Sequence, residues 1–448
     1  MKKSLLWLLI MVLAVSMIAT FSLAGCKEAV EEEAVAPAEE EATEEAVEET
    51  AIAEKEKIDF WYLWGGDEAL ILEEIIANYN ASQDKYEVVG LSVPDTQKVL
   101  TAIAGGEGPD ISDQFSSNVA AHASKGIYLA LDELIARDQL DMDDYINGAI
   151  ESCIYEGTTY ALPLSINAMA LFYNKALLTE AGYDAPPKTD LELMDIAYNT
   201  TKVEADGSIS VLGFPDFPTV YYTTNIGFAF GGSYINEAGT ELTPDNGGTI
   251  RALQLIQDYR KEYGYDSVIS FNSSAGGYVT PTDPFILGQQ ALRIDGPWLV
   301  GIIKDLNPEL EFGVAALPYL DGYPESAGGG ELSSSTMFIP TNSKHQEGAW
   351  DFMKYICSFE GNVTFITEKG DIPARVSLLN DPNLERAEEL NVFNEIVKLN
   401  NLKPVPAFSN QQEFATLLSE QAELVMLGEK SPEEAMAYVK EQSKDMLK

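Results

Sequence analysis

A nearly continuous apolar run occupies residues 160–175, with the sequence YALPLSINAMALFYNK. Such a run is typical of a strand that is covered on both faces. It is longer than one small sheet needs, so we expect it to cross between two lobes. The sequence then predicts a helix over 176–181 that Gly182 caps, and a second helix that Thr189 N-caps with Glu192 as its capping-box partner.

Length and composition exclude several classes of protein. The segment beyond residue 56 is long enough for two domains, and the net charge of −44 argues against nucleic-acid binding. We attribute the acidity to solubility or to a salty habitat. The histidines are His122 and His345, which makes a histidine-rich metal site or a catalytic triad improbable. We therefore predict no metal and no cofactor.

The N-terminus has the pattern of a secretory leader. Two lysines precede an apolar segment, and Leu23-Ala24-Gly25-Cys26 follows. This pattern resembles the lipobox of bacterial lipoproteins, so we predict a signal peptide over residues 1–25 and lipid on Cys26. The alternative is an uncleaved membrane anchor. Residues 26–56 are rich in Glu and Ala, and we predict an acidic, disordered tether because they hold too little apolar surface to fold.

Two cysteines remain beyond the leader. Cys153 and Cys357 could form a disulfide in an oxidising compartment, but their spacing carries no signal of pairing. Two buried free thiols are the favoured interpretation.

Three motifs follow one another around the apolar run. They are ALP at 161–163, YNK at 173–175 and PPKT at 186–189. Their order and spacing resemble the extracellular solute-binding proteins of ABC importers, of the maltose-binding type. Supporting matches are the glycine-rich turn at 105–111, Gly-Pro-Trp at 296–298 and the segment 370–375, so the resemblance covers the chain beyond residue 57.

The resemblance implies an α/β fold of two lobes, the type II periplasmic-binding-protein-like fold, with a hinge of crossing strands. Residues 57–165 plus 333–369 would form lobe I. Residues 166–332 plus 370–448 would form lobe II. A ligand would be captured in the cleft between them by hinge closure.

Candidate ligand contacts in lobe I lie where strands end. Trp64 ends a predicted strand over 58–64 and Asp67 follows it, at a sheet edge where α/β proteins bind ligands. Gln114, Ser117 and Asn118 match ligand-contacting positions of maltose-binding proteins. The alternative is that these three face water in a loop.

The candidates in lobe II are mainly aromatic. Tyr221, beside Tyr222, matches a position where relatives stack an aromatic ring on a sugar, although both tyrosines could pack in the core. Trp298 is the strongest candidate for a stacking platform, with a core position as its alternative. Asn167 matches a position where relatives place a carboxylate, so its uncharged side chain puts maltose itself in doubt as the ligand.

Four further candidates lie near the predicted crossings and beyond them. Glu331 could accept hydrogen bonds from hydroxyl groups, bind a cation or be solvated. Arg375 could project into the cleft or form an ion pair at the hinge. Phe408 and Gln412 match positions where relatives place aromatic ligand contacts, and Phe408 keeps that chemistry.

Together, the leader, the resemblance and these candidate contacts imply a lipid-anchored, extracytoplasmic binding protein, at the cell surface or in the periplasm. It would capture a neutral mono- or oligosaccharide and deliver it to the permease subunits of an ABC transporter, as a monomer and without catalysis. The alternatives are a secreted glycoside hydrolase, which needs paired carboxylates, and a surface carbohydrate sensor.

Overall fold

The computed structural model describes residues 54–447, apart from residues 217–219, 275 and 385. The predicted leader, Cys26 and nearly all of the predicted tether lie outside the described residues. The strands are β1 Glu56–Tyr62, β2 Tyr86–Ser92, β3 Ile111–Phe115, β4 Ile154–Tyr155, β5 Thr158–Thr159, β6 Leu162–Asn167, β7 Ala170–Asn174, β8 Lys202–Val203, β9 Ile209–Val211, β10 Leu292–Asp295, β11 Phe312–Ala315, β12 Gly330–Glu331, β13 Ser333–Phe338, β14 Ile372–Pro373 and β15 Leu402–Lys403.

Helices connect most of these strands. They are α1 Asp67–Ser82, α2 Thr96–Gly105, α3 Val119–Ala123, α4 Asp132–Asp138, α5 Asn147–Glu151, α6 Lys175–Glu180, α7 Asp190–Thr200, α8 Val220–Ala229, α9 Gly247–Tyr263, α10 Tyr265–Ser274, α11 Trp298–Leu306, α12 Gln346–Ile356, α13 Phe359–Lys369, α14 Val376–Leu379, α15 Glu388–Lys398, α16 Gln411–Met426 and α17 Pro432–Ser443.

The first sheet has the strand order β14-β6-β13-β3-β1-β2. β1 pairs in parallel with β2 and β3, whereas β13 runs antiparallel to β3 and β6. Ile58 and Phe60 of β1 are fully buried against Leu72 of α1 and Trp350 of α12. Helices α1 and α12 thus cover β1, where the buried residues are apolar.

The second sheet is smaller and has the order β10-β7-β11, with both pairings antiparallel. Leu171 and Leu292 from this sheet pack against Ile226 of α8 and Ile256 of α9. A separate cluster joins both sheets, because Ile166 of β6 and Phe172 of β7 belong to it together. The two sheets are therefore linked through buried side chains as well as through the chain.

The apolar run at 160–175 does cross between the sheets, but as two strands. β6 belongs to the first sheet and β7 to the second, with Ala168 and Met169 between them. The prediction of one long strand was wrong in this respect, because the chain must turn to enter a different sheet. Leu332 makes a second short connection, from β12 into β13 of the first sheet.

Helix ends follow the sequence closely. Thr189 accepts a hydrogen bond from the Glu192 amide at 3.2 Å, which confirms the N-cap, but the Glu192 carboxylate accepts from the Lys188 amide. Ser431 forms a complete capping box with Glu434. Gly182 takes a φ of 89°, which an L residue rarely adopts.

Other boundaries differ from the predictions. The helix predicted over 176–181 is α6, Lys175–Glu180, and the strand predicted over 58–64 is β1, which ends at Tyr62. Cys153 and Cys357 are both free and buried, as favoured. No helix in the described part of the chain is long and apolar enough to cross a membrane.

Candidate functional site

A cavity of about 420 Å³ lies between the two sheets, and both contribute to its walls. Strand ends supply much of the lining, as expected at the edges of α/β sheets. The lining residues are Trp64, Phe115, Ser117, Asn167, Met169, Tyr221, Tyr222, Tyr278, Ile294, Asp295, Trp298, Glu331, Ser333, Ser335 and Lys369.

Aromatic rings dominate the cavity walls. Phe115, Tyr221 and Tyr278 keep 47%, 52% and 47% of their surface exposed, although large rings normally bury most of theirs. Trp64 packs edge-on against Phe365, with 5.3 Å between the ring centroids. Rings that remain accessible inside a cavity offer flat apolar faces to a ligand.

Trp298 opens α11 and is held by a hydrogen bond. Its indole Nε1 donates to the Tyr278 hydroxyl at 2.7 Å, and that hydroxyl donates to Asp295 Oδ1 at 2.9 Å. Asp295 is buried and also accepts from the guanidinium of Arg293 at 2.8 Å. The carboxylate beside Trp298 is therefore paired.

Lys369 ends α13 and places its ammonium between two indole rings. Nζ lies 5.9 Å from the ring centroids of both Trp64 and Trp298. It forms ion pairs with Asp371 at 2.7 Å and with Glu68 at 3.5 Å. Burial lowers the pKa of Lys369, but the two carboxylates outweigh it and hold the pKa above its usual value.

Glu331 differs from the other charged groups of the cavity. In the described part of the chain, no hydrogen bond or ion pair reaches its carboxylate, although its backbone amide donates to Asn225 at 3.1 Å. Burial raises the pKa of Glu331 to about 7. The carboxylate in turn raises the pKa of Tyr221, an effect second to that of burial.

Uncharged polar groups complete the lining. Asn167 Nδ2 donates to Ser335 Oγ at 3.3 Å, and Ser117 and Ser333 contribute hydroxyl groups nearby. Such groups can donate and accept hydrogen bonds without adding charge. The cavity thus combines aromatic faces, neutral hydrogen-bonding groups and one carboxylate, Glu331, that has no partner among the described residues.

Several sequence-predicted contacts come together in this cavity. Those that line it are Trp64, Ser117, Asn167, Tyr221, Tyr222, Trp298 and Glu331. The Tyr222 side chain is itself almost completely buried, and its hydroxyl donates to the Ala252 carbonyl at 3.4 Å. Tyr221 is the accessible member of the pair.

Other predicted contacts lie outside this cavity. Gln114, Asn118 and Gln412 line a separate one, where Gln412 Nε2 donates to Asn118 Oδ1 at 2.7 Å. Asn118 in turn donates to Gln114 Oε1 at 3.1 Å. These hydrogen bonds therefore join α16 to β3 and to the turn that follows it.

Asp67, Arg375 and Phe408 do not line the main cavity either. Asp67 is exposed at the first position of α1. Arg375 is buried in an ion pair with Asp144 at 2.9 Å, which corresponds to the hinge alternative. Phe408 is buried in the core.

The sequence analysis missed several lining residues. They are Phe115, Met169, Tyr278, Ile294, Asp295, Ser333, Ser335 and Lys369. Strand alternation could have found Phe115, since it points to the face opposite Gln114. Lys369 gave no pattern, because Trp64, Trp298 and Glu68 are distant from it in the sequence. Tyr278 likewise reaches Asp295 and Trp298 across 17 and 20 residues.

Comparison with known proteins agrees with this geometry. Residues 74–392 match the family model described as bacterial extracellular solute-binding protein. The chain belongs to this family. The resemblance found in the motifs around residues 160–189 is thereby confirmed, and the family is one of binding proteins.

Curated relatives of this solute-binding protein cover most of its length. The maltotriose-binding protein of Pyrococcus abyssi is 26% identical over 78% of this chain and 73% of its own. The galactooligosaccharide-binding protein of Bacillus subtilis is 25% identical over 77% and 78%. A maltooligosaccharide ABC transporter solute-binding lipoprotein of Streptococcus pneumoniae is 24% identical over 68% of both chains.

Solved structures share the fold. CpMnBP1 with mannobiose bound has a TM-score of 0.77 at 23% identity and covers 87% of this chain and 100% of its own. The GacH receptor of Streptomyces glaucescens has a TM-score of 0.72 at 24% identity and covers 88% and 98%. The two-lobed α/β fold of periplasmic binding proteins is thus confirmed.

Proposed function

We propose that this solute-binding protein captures a neutral carbohydrate, a mono- or oligosaccharide, in the cavity between its sheets. The observation that carries the proposal is the set of accessible aromatic rings on the cavity walls, which match the C–H faces of sugar rings. The sugar-binding names of the curated relatives support the same class of ligand.

The charges of the lining favour an uncharged ligand. Lys369 is already paired with Asp371 and Glu68, so it offers little attraction to a carboxylate or a phosphate. Asp295 is matched by Arg293. Glu331 would repel an anion but would accept a hydrogen bond from a sugar hydroxyl.

The predicted contacts that line the cavity remain our proposed ligand contacts, joined by Tyr278.

We also propose the two lobes predicted from the sequence, residues 57–165 plus 333–369 and residues 166–332 plus 370–448. The short connections at 168–169 and at Leu332 would act as hinges, since few residues need to change their backbone angles there. A ligand that contacts both lobes would favour the closed form by its difference in affinity for the two forms.

We further propose that lipid on Cys26 tethers the protein to the outer face of the cell membrane and that the monomer delivers its ligand to an ABC permease. The maltooligosaccharide ABC transporter solute-binding lipoprotein of Streptococcus pneumoniae, a relative of this chain, supports the proposed anchor and delivery. The glycoside hydrolase alternative loses support because the family consists of binding proteins. A surface sensor built on the same fold remains the second candidate.

A thermal-shift screen tests the proposed ligand class. A ligand that binds only the folded form raises the melting temperature, so neutral mono- and oligosaccharides should produce shifts. Uronic acids, sugar phosphates and charged amino acids should produce none. Trp298→Ala should abolish the shift, whereas Tyr323→Ala, at an exposed site outside the cavity lining, should keep it. Shifts with charged amino acids alone would refute the proposal.

A further inference from the structure

A row of buried charges lies behind the Trp298 side of the cavity. Arg293 donates to Asp283 at 2.9 Å and to Asp295 at 2.8 Å. All three side chains are at least nine-tenths buried. A guanidinium is a rigid planar fork, so two carboxylates bound to it are fixed in direction as well as in charge.

The hydrogen-bond directions along this row are determined by chemistry. The Asp295 carboxylate accepts, so the Tyr278 hydroxyl must donate its proton to it at 2.9 Å. The hydroxyl oxygen then accepts from Trp298 Nε1, which can only donate, at 2.7 Å. The Gly296 amide holds Asp295 Oδ1 from the other side at 2.8 Å.

Gly296 leaves room for the indole ring. A Cβ at this position would lie 2.2 Å from Trp298 Cη2, a distance that real side chains do not reach. The ring therefore folds back over the backbone of its own turn. Steric contact with this backbone and the bond to Tyr278 both restrict its orientation.

We propose that Tyr278 and Asp295 are positioning residues that fix the plane of the Trp298 ring for ligand stacking. The proposal rests on the carbohydrate function proposed above. The single N–H of the indole and the proton of the Tyr278 hydroxyl are both used within the row. The two rings thus present their faces to a ligand, and specificity for hydroxyl groups must come from other side chains of the cavity.

A double-mutant cycle with purified full-length protein tests this role. Tyr278→Phe keeps the ring and removes the hydroxyl, so it should weaken saccharide affinity about three- to tenfold, the range expected for one hydrogen bond. Trp298→Phe removes the indole N–H. In that background Tyr278→Phe should have little further effect, because the two changes break the same bond. Tyr323→Phe, an exposed tyrosine outside the row, is the matched control and should leave the affinity unchanged.

Additive losses in the cycle would overturn the positioning role, as would a Tyr278→Phe variant with unchanged affinity. A measurement without ligand distinguishes failure of the positioning role from failure of the proposed carbohydrate function. The indole N–H signal of Trp298, assigned by its disappearance in Trp298→Phe, should exchange slowly with solvent and should exchange faster in Tyr278→Phe. If no saccharide binds the wild-type protein, the carbohydrate proposal fails while this signal still decides whether Tyr278 fixes the ring. Equal exchange in both proteins would overturn the positioning role.

Discussion

Two parts of the same cavity differ in whether a buried carboxylate is paired with a cation. Beside Trp298, each carboxylate faces a cation, since Asp295 pairs with Arg293 and Asp371 pairs with Lys369. Glu331 has no such partner among the described residues, and burial raises its pKa to about 7. Paired charges fix geometry, whereas an unpaired one keeps its capacity to bind a ligand.

Proximity along the strands does not explain this difference. Lys403 lies directly opposite Glu331 in the pairing of β12 with β15. Its ammonium nevertheless donates to the carbonyl oxygens of Gly231 at 3.3 Å and Gly232 at 3.1 Å. The direction of the side chain, rather than the register, leaves Glu331 unpaired. Strand register alone therefore does not predict which charged side chains form an ion pair, because the positions of their charged atoms decide it.

Removing the cation of a buried ion pair should have the largest effect on stability. Lys369→Met would leave Asp371, which is fully buried, with the Ser165 hydroxyl as its remaining side-chain donor in the described structure. Removing one partner of a buried ion pair typically costs about 3–5 kcal/mol. Because the Arg386 guanidinium still interacts electrostatically with Asp371, the free energy of unfolding should fall by an amount near the lower end of that range. Urea denaturation at neutral pH measures it.

Lys202→Met is the matched control for this change. Its ion pair with Glu180 has a similar distance of 2.7 Å but lies at the surface, so its removal should change stability little. Equal effects of the two lysine substitutions would contradict the distinction between buried and exposed pairs.

Removing the unpaired carboxylate of Glu331 should have a smaller effect on stability, and it should raise the free energy of unfolding rather than lower it. A folded-state pKa raised to about 7 means that the stability contributed by protonated Glu331 is complete below its ordinary pKa and is lost as the pH rises through about 7. Glu331→Gln should therefore raise the free energy of unfolding at pH 8, on the order of 1–3 kcal/mol, and leave it nearly unchanged at pH 4. Denaturation at both pH values checks this.

Glu434→Gln serves as the comparison for Glu331→Gln. Hydrogen bonds from the Ser431 amide and hydroxyl lower the pKa of Glu434, so its stabilising contribution is present above its ordinary pKa and is lost as the pH falls. This variant should lose stability at pH 8, where Glu331→Gln gains it. A loss of stability at pH 8 in both variants would show that burial does not destabilise the ionised carboxylate of Glu331.

The neutral pair at the second cavity should have the smallest effect. Gln412→Ala removes an exposed hydrogen bond between two uncharged side chains, Gln412 and Asn118, so the free energy of unfolding should fall by less than about 1 kcal/mol. Calorimetry with a saccharide ligand then measures the affinity of the Gln412→Ala variant. A loss of affinity much larger than tenfold would make Gln412 a ligand contact, as the sequence predicted, rather than a contact between the lobes.

Local patterns in the sequence predicted the features that depend on neighbouring residues. The cap at Thr189 follows from a side chain that accepts a hydrogen bond from the amide three residues away. The crossing at 160–175 follows from an apolar run, although the break at Ala168 and Met169 does not, because apolar residues suit either sheet. Trp298 was found from Gly-Pro-Trp, a local motif whose glycine makes room for the ring.

The fold class, the family, the crossing between sheets and about half of the residues that line the cavity could be predicted from the sequence alone. Which charges are paired, and which candidate residues share one cavity, could be established only from the three-dimensional arrangement. Tyr278 reaches Asp295 and Trp298 through a segment without periodicity, and Lys369 lies between tryptophans from distant parts of the chain. Periodicity encodes which face of an element is buried, but an ion pair depends on where two separate elements place individual atoms.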